Sequence, residues 1–115
     1  MLALSSSIRY FMYKHPADMR LGINSLSGLV RNQLGYDPMS GDVFVFIGKR
    51  SNQIRILQWD RDGFAMYIKK LEKGTFERPA LPGNEISSSQ LSLLLQGVML
   101  KSVSYRKRYV ALKRV

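Results

Sequence analysis

Residues 43–70 carry the tightest constraint on the fold, because "VFVFI", "QIRILQW" and "FAMYIKKL" are β-prone apolar runs separated only by "GKRSN" and "DRDG". Connections this short join neighbouring strands antiparallel, so the stretch is predicted to form a meander. Alternation along each strand then sorts the side chains. In the register that the loops allow, Phe44, Phe46, Leu57, Trp59, Phe64, Met66 and Ile68 share one face, and Val43, Val45, Ile47, Ile54 and Ile56 share the other. A sheet that is apolar on both sides has to be covered on both sides.

Two helices are predicted as the covers. Asp18 is a suitable N-cap for a helix running through Leu34, in which Met19, Ile23, Leu26, Val30 and Leu34 recur at helical spacing and Gly35 supplies the C-cap. Arg20, Asn24, Ser27 and Arg31 fall on the opposite, solvated side. Ser87 and Gln90 have capping-box spacing ahead of Leu91, Leu94 and Leu95, and Gly97 closes this second, shorter helix. If it is too short for the sheet, the uncovered part would mediate self-association, and in that case alone a homo-oligomer is expected. A further strand is predicted near residues 8 to 13, ended by His15 and Pro16, and "RPALPGNEISSS" reads as one extended loop. The expected fold class is α+β: an antiparallel β-meander sheet packed with an amphipathic helix and a shorter C-terminal helix. The 115 residues suit one domain, drawn at 1–98, with 99–115 as a basic C-terminal extension.

Charge is the most informative global quantity. Eighteen Lys plus Arg face eight Asp plus Glu, a net charge of +10, which points to a polyanionic partner. Residues 99–115 hold six of the bases (Lys101, Arg106, Lys107, Arg108, Lys113 and Arg114) and no acid. Such a tail is either a solvated appendage or a nucleic-acid contact. Tyr105 and Tyr109, interleaved with Arg106, Lys107 and Arg108, favour nucleic acid, since rings stack on bases and cations pair with phosphates. Lys49 and Arg50 in one hairpin turn, and Lys69, Lys70 and Lys73 near another, would extend the same surface, making DNA the expected partner.

Cysteine is absent, which removes disulfides, thiolate zinc sites and cysteine nucleophiles together and fits a reducing cytosol. Apolar runs are too short to span a bilayer, and "MLALSSSIRYF" lacks the features of a signal peptide. A cytoplasmic protein without a membrane partner is expected.

Asp60 and Asp62 in "WDRDG" pose the one serious catalytic question. They are either a metal-binding pair of a nuclease or the corner of a hairpin. A calcium loop counted from Asp60 would need a carboxylate where Leu71 stands, or where Lys69 stands if Asp60 is third. A two-metal site needs further carboxylates brought together, yet Asp18, Asp37, Asp42, Glu72, Glu77 and Glu85 mostly fall at caps, turns and loop edges. Asp-Gly between β-prone runs is a strong hairpin signal, with Gly63 tolerating positive φ. The only histidine, His15, precedes a proline at an element boundary, and no glycine-rich phosphate loop follows a strand. No cofactor, metal site or catalytic residue is predicted, and Trp59 is expected in the core beside Phe46, Phe64 and Met66.

"PADMRLGINSLSGLV", "LGYDPMSGDVFVF" and "WDRDGFAMYIKKLEKGTF" together resemble the three signature blocks of the TnpB-type accessory protein of the insertion-sequence 66 family of bacterial transposable elements. The likeness rests on Pro16, Asp18, Met19, Arg20 and Gly22 in the first block, and on Asp37, Pro38, Ser40, Gly41, Phe44 and Phe46 in the second. In the third it rests on Trp59, Asp60, Asp62, Gly63, Lys69, Leu71, Glu72, Gly74 and Phe76. Gln58 stands where the family commonly has an aromatic residue and Lys70 where Arg is usual, and the basic extension is a local feature. The resemblance implies a bacterial helper protein of transposition, encoded beside a separate transposase that carries the acidic catalytic triad. It gives no catalytic residue to carry over. The expected role is a DNA-binding or assembly factor; the alternatives are a metal-dependent nuclease using Asp60 and Asp62, and an adaptor that docks the transposase without touching DNA.

Overall fold

Strand β2 (Val43–Ile47) is buried at all five positions and organises the rest. The computed structural model describes residues 4–97. β3 (Gln53–Asp60) and β4 (Gly63–Lys70) follow β2 as the predicted antiparallel meander. Register sets Phe44 beside Leu57 and Met66, and Val45 beside Ile56 and Tyr67, so the two predicted faces form. β1 (Tyr10–Met12) pairs with β2 in parallel, and β5 (Glu85–Ile86) pairs antiparallel with β1, giving the sheet order β4-β3-β2-β1-β5. A parallel pair needs a crossover, and α1 (Ile23–Leu29), continuing as a π-helical turn over Val30–Leu34, provides it.

Both faces are covered by helices, as the apolar pattern demands. Leu26 and Val30 pack on Phe11, Phe44, Phe46 and Leu57 on one side. On the other, Leu91 and Leu94 of α2 (Ser88–Gln96) join Tyr10, Val43, Val45, Ile47, Ile54, Ile56, Phe76 and Ile86. α2 carries the predicted capping box: the Gln90 amide donates to Ser87 Oγ at 3.0 Å, and the Ser87 amide donates to Gln90 Oε1 at 2.9 Å. Gly35 and Gly97 end the two helical segments in the left-handed conformation, at φ of 75° and 89°.

Four expectations need correction. The first helix starts at Ile23, with Gly22 as N-cap, and not at Asp18. Asp18 Oδ1 instead accepts the Arg20 amide at 2.9 Å, a local turn that competes with helix initiation. Ser27, predicted to face solvent, is buried, its hydroxyl donating to the Asn24 carbonyl at 2.8 Å. β5 lies inside the predicted extended loop. Trp59 is half-buried, edge-on to Phe64 at 5.0 Å, and belongs to neither core cluster. It pairs with Phe64 one step from the hairpin loop, at the end of the sheet.

The hairpin corner forms, but with a different residue bearing the unusual backbone. Asp60 pairs with Gly63, leaving Arg61 and Asp62 as the two-residue loop, and Arg61 takes φ of 58°. Gly63 lies in the strand.

Phe44 is fully buried and stacked against Phe11 at 5.8 Å between ring centroids. Phe44→Ala is therefore expected to cost about 3–5 kcal/mol, whereas Trp59→Ala should cost clearly less and leave a folded domain. Urea denaturation of the two variants checks the order, and an unfolded Trp59→Ala would contradict it.

Candidate nucleic-acid interface

The segment before α1 is strapped across one end of the sheet by three contacts. The Ala17 amide donates to the Ile47 carbonyl at 3.0 Å, and Arg55 Nη1 donates to the Leu21 carbonyl at 2.7 Å. Met19 sits so close to Gly48 that a Cβ there would lie 2.6 Å from Met19 Cγ, so only glycine allows this approach. Arg78 secures the same corner from another side, its Nη2 donating to the carbonyls of Gly48 at 2.6 Å and Ile47 at 3.2 Å. Partial burial of this guanidinium lowers its pKa.

Between the strap and the β2–β3 turn lies an open cleft of about 580 Å³. Arg20, Lys49, Arg50 and Lys70 line it, against one carboxylate, Asp18. That carboxylate is committed to Arg20, which donates to it through Nε at 3.0 Å and Nη2 at 2.8 Å. Lys49, Arg50 and Lys70 have no hydrogen-bond or ion-pair partner among the described residues. Gln53 also lines the cleft, and its Oε1 is buried without a hydrogen-bond partner among the described residues. The arrangement can hold an anion of phosphate chemistry by charge-assisted hydrogen bonds.

The structure divides the cations predicted as one surface. Alternation along β4 sends Lys70 to the α1 side with Gln53, and Lys69 to the α2 side with Ile54. There Lys69 Nζ donates to the Leu95 carbonyl at 3.1 Å, satisfying the C-terminal end of α2. Lys73 is exposed beyond β4 and does not line the cleft. Lys101, Arg106, Lys107, Arg108, Lys113 and Arg114 lie outside the described residues. Arg20 is the cleft cation that sequence reasoning places on a solvated helix face and not in the binding surface; the Asp-x-Arg spacing of Asp18 and Arg20, which suits a local turn, is the signal that could have found it.

Among the family-motif residues, Asp37 holds a turn, its Oδ1 accepting the Met39 amide at 2.9 Å. Asp60 and Asp62 are exposed at the far end of β3 from the cleft. The described residues contain no group of three or more His, Cys, Asp or Glu side chains that could hold a metal ion. No helix among them is long and apolar enough to cross a membrane.

The described residues form a small α+β fold in which four cations, Arg20, Lys49, Arg50 and Lys70, line one open cleft. The chain belongs to the IS66 Orf2-like protein family, whose model matches residues 8–105, and with that family comes a transposition-associated accessory role. The uncharacterized protein y4jC of Sinorhizobium fredii is 36% identical over 100 residues, covering 85% of this chain and 86% of that protein. The uncharacterized protein y4hO of the same organism is 33% identical over 100 residues, covering 85% and 87%. No solved structure matches the chain.

The Asp18–Arg20 pair makes the cleft wall sensitive to acid. Bonds from the Arg20 side chain, then from its amide, lower the Asp18 pKa from 3.8 to about 2. A carboxyl with a depressed folded-state pKa contributes its stability fully above the unfolded value and loses it as pH falls through the folded one. The turn should therefore stay paired from neutral pH down to 3.8 and come apart as pH approaches about 2. NMR titration of the Asp18 carboxyl carbon reads this directly, and a midpoint at 3.8 would mean the pair is not held in solution.

Proposed function

We propose that this chain is a non-catalytic accessory factor of transposition that binds DNA, working beside the separate transposase of its element. The observation that carries the reading is the convergence on one cleft of Lys49, Arg50 and Lys70, whose side chains have no partner among the described residues, where the one described carboxylate, Asp18, is already paired. Cations in that state keep their charge for a ligand, and phosphates that replace bulk anions around them release counterions from the DNA. Arg20, held by Asp18, adds a planar donor fork suited to phosphate oxygens. The basic segment 99–115 supplies further phosphate contacts in this reading, and the exposed Asp60–Asp62 hairpin has no part in chemistry.

Binding to element-end duplex and to random duplex across a salt series tests the proposal. Affinity should fall linearly on log–log axes. The combined variant Lys49→Ala, Arg50→Ala and Lys70→Ala should weaken both duplexes alike and flatten the slope by about 0.9 for each phosphate no longer neutralised. Any preference for the element end should survive in it. Unchanged affinity and slope would remove the cleft from the interface. Magnesium-dependent cleavage that disappears on replacing Asp60 and Asp62 with Asn would instead establish the nuclease alternative. Co-purification with the transposase in the absence of any DNA affinity would establish the adaptor.

A further inference from the structure

The two edges of the sheet are unlike. β5 is two residues long, whereas β4 runs for eight and has no strand on its outer side among the described residues. Protein edges are ordinarily blunted by charge, proline, a bulge or shortness. β4 has none of these along "GFAMYI", residues 63–68, and it pairs without interruption from Asp60–Gly63 to Gln53–Lys70. A regular row of outward N–H and C=O groups therefore runs along the uncharged stretch 63–68 of the strand. Ile68, on that strand, is 51% exposed.

We propose that β4 pairs antiparallel with β4 of a second copy of this chain, joining two five-stranded sheets into one. The inference is independent of DNA binding. A two-fold axis perpendicular to the sheet keeps each face continuous and sets residues of like orientation opposite one another. With the axis at Met66, Phe64 faces Ile68 of the second copy, Met66 faces its own equivalent, and Tyr67 faces Ala65. Lys70 then lies beside the partner's hairpin loop, whose Asp62 immediately precedes β4, for an ion pair made twice. Moving the axis to Ala65 would set Ile68 against Asp62, and moving it to Tyr67 would set Lys70 against Phe64. Charge and polarity thus select one register. The exposed Ile68 gains an aromatic neighbour, and Asp62 gains a role that the hairpin itself does not require. Lys70 lies between the cleft and this edge, so the interface borders the cleft.

Sedimentation equilibrium of the full chain tests the proposal. The expected mass is twice the 13.2 kDa of one chain. Met66→Lys, which brings two ammonium groups together at the axis, should give a monomer with an unchanged far-ultraviolet spectrum. Met66 is half-buried, so a second set of variants guards against loss of fold. Lys70→Asp and Asp62→Lys should each weaken association at least tenfold, and the two combined in one chain should restore it. A chain that stays monomeric at its highest soluble concentration would overturn the proposal, the edge then being covered by the C-terminal segment or left for a different protein. A dimer indifferent to all of these variants would overturn it as well.

Discussion

Burial of β2 on both faces is the constraint from which the architecture follows. Five consecutive apolar residues, Val43 to Ile47, leave no side of the strand for water, so the strand needs neighbours at both edges and a cover above and below. β3 follows through a short turn and takes one edge. The other goes to β1, which can run parallel to β2 only because residues 13–42 contain a crossover long enough to hold a helix. α2 then closes the opposite face through Leu91 and Leu94. Strapping residues 16–22 over the sheet end is a consequence of that crossover, and the strap builds one wall of the basic cleft. The candidate interface is thus a by-product of how the core is closed.

Electrostatics follow the same geometry. Arg9 and Asp42, which precede the parallel strands β1 and β2, pair at 2.8 Å, and Asp18 pairs with Arg20, so both of these carboxylates are committed to particular arginines. Arg55 and Arg78 are spent on backbone carbonyls and hold the strap and the β2 corner in position. Among the described residues, Arg20, Lys49, Arg50 and Lys70 are the cations that line the cleft at the strapped end of the sheet.

Most of the sheet was legible because period-two alternation in residues 43–70 leaves only one arrangement that buries both apolar sets. α2 was legible from the spacing of Ser87, Gln90 and Gly97, each of which forms the cap its chemistry favours. Other features depend on distant contacts. β5 is two residues whose strand character comes from docking on β1, and the partner of β1 is not encoded within β1 itself. Asp18 suits both an N-cap and a local turn, and the nearby Arg20 side chain favours the turn. Lys69 and Lys70 are adjacent in sequence and so looked like one patch, yet adjacency on a strand means opposite faces: one caps a helix and the other lines the cleft. Trp59 had the right parity for the core but stands one step from the hairpin loop, at the end of the sheet.

In the proposed function, DNA meets this protein at the strapped end of the sheet and not at the acidic hairpin. Backbone amide shifts of the full chain, followed by NMR during titration with an element-end duplex in the presence of magnesium, measure this residue by residue. Shifts should concentrate in residues 17–20 and 48–53 and at Lys70, with Asp60, Arg61 and Asp62 unmoved at the far end of β3. Perturbation centred on Asp60 to Asp62, with residues 17–20 and 48–53 silent, would contradict that placement.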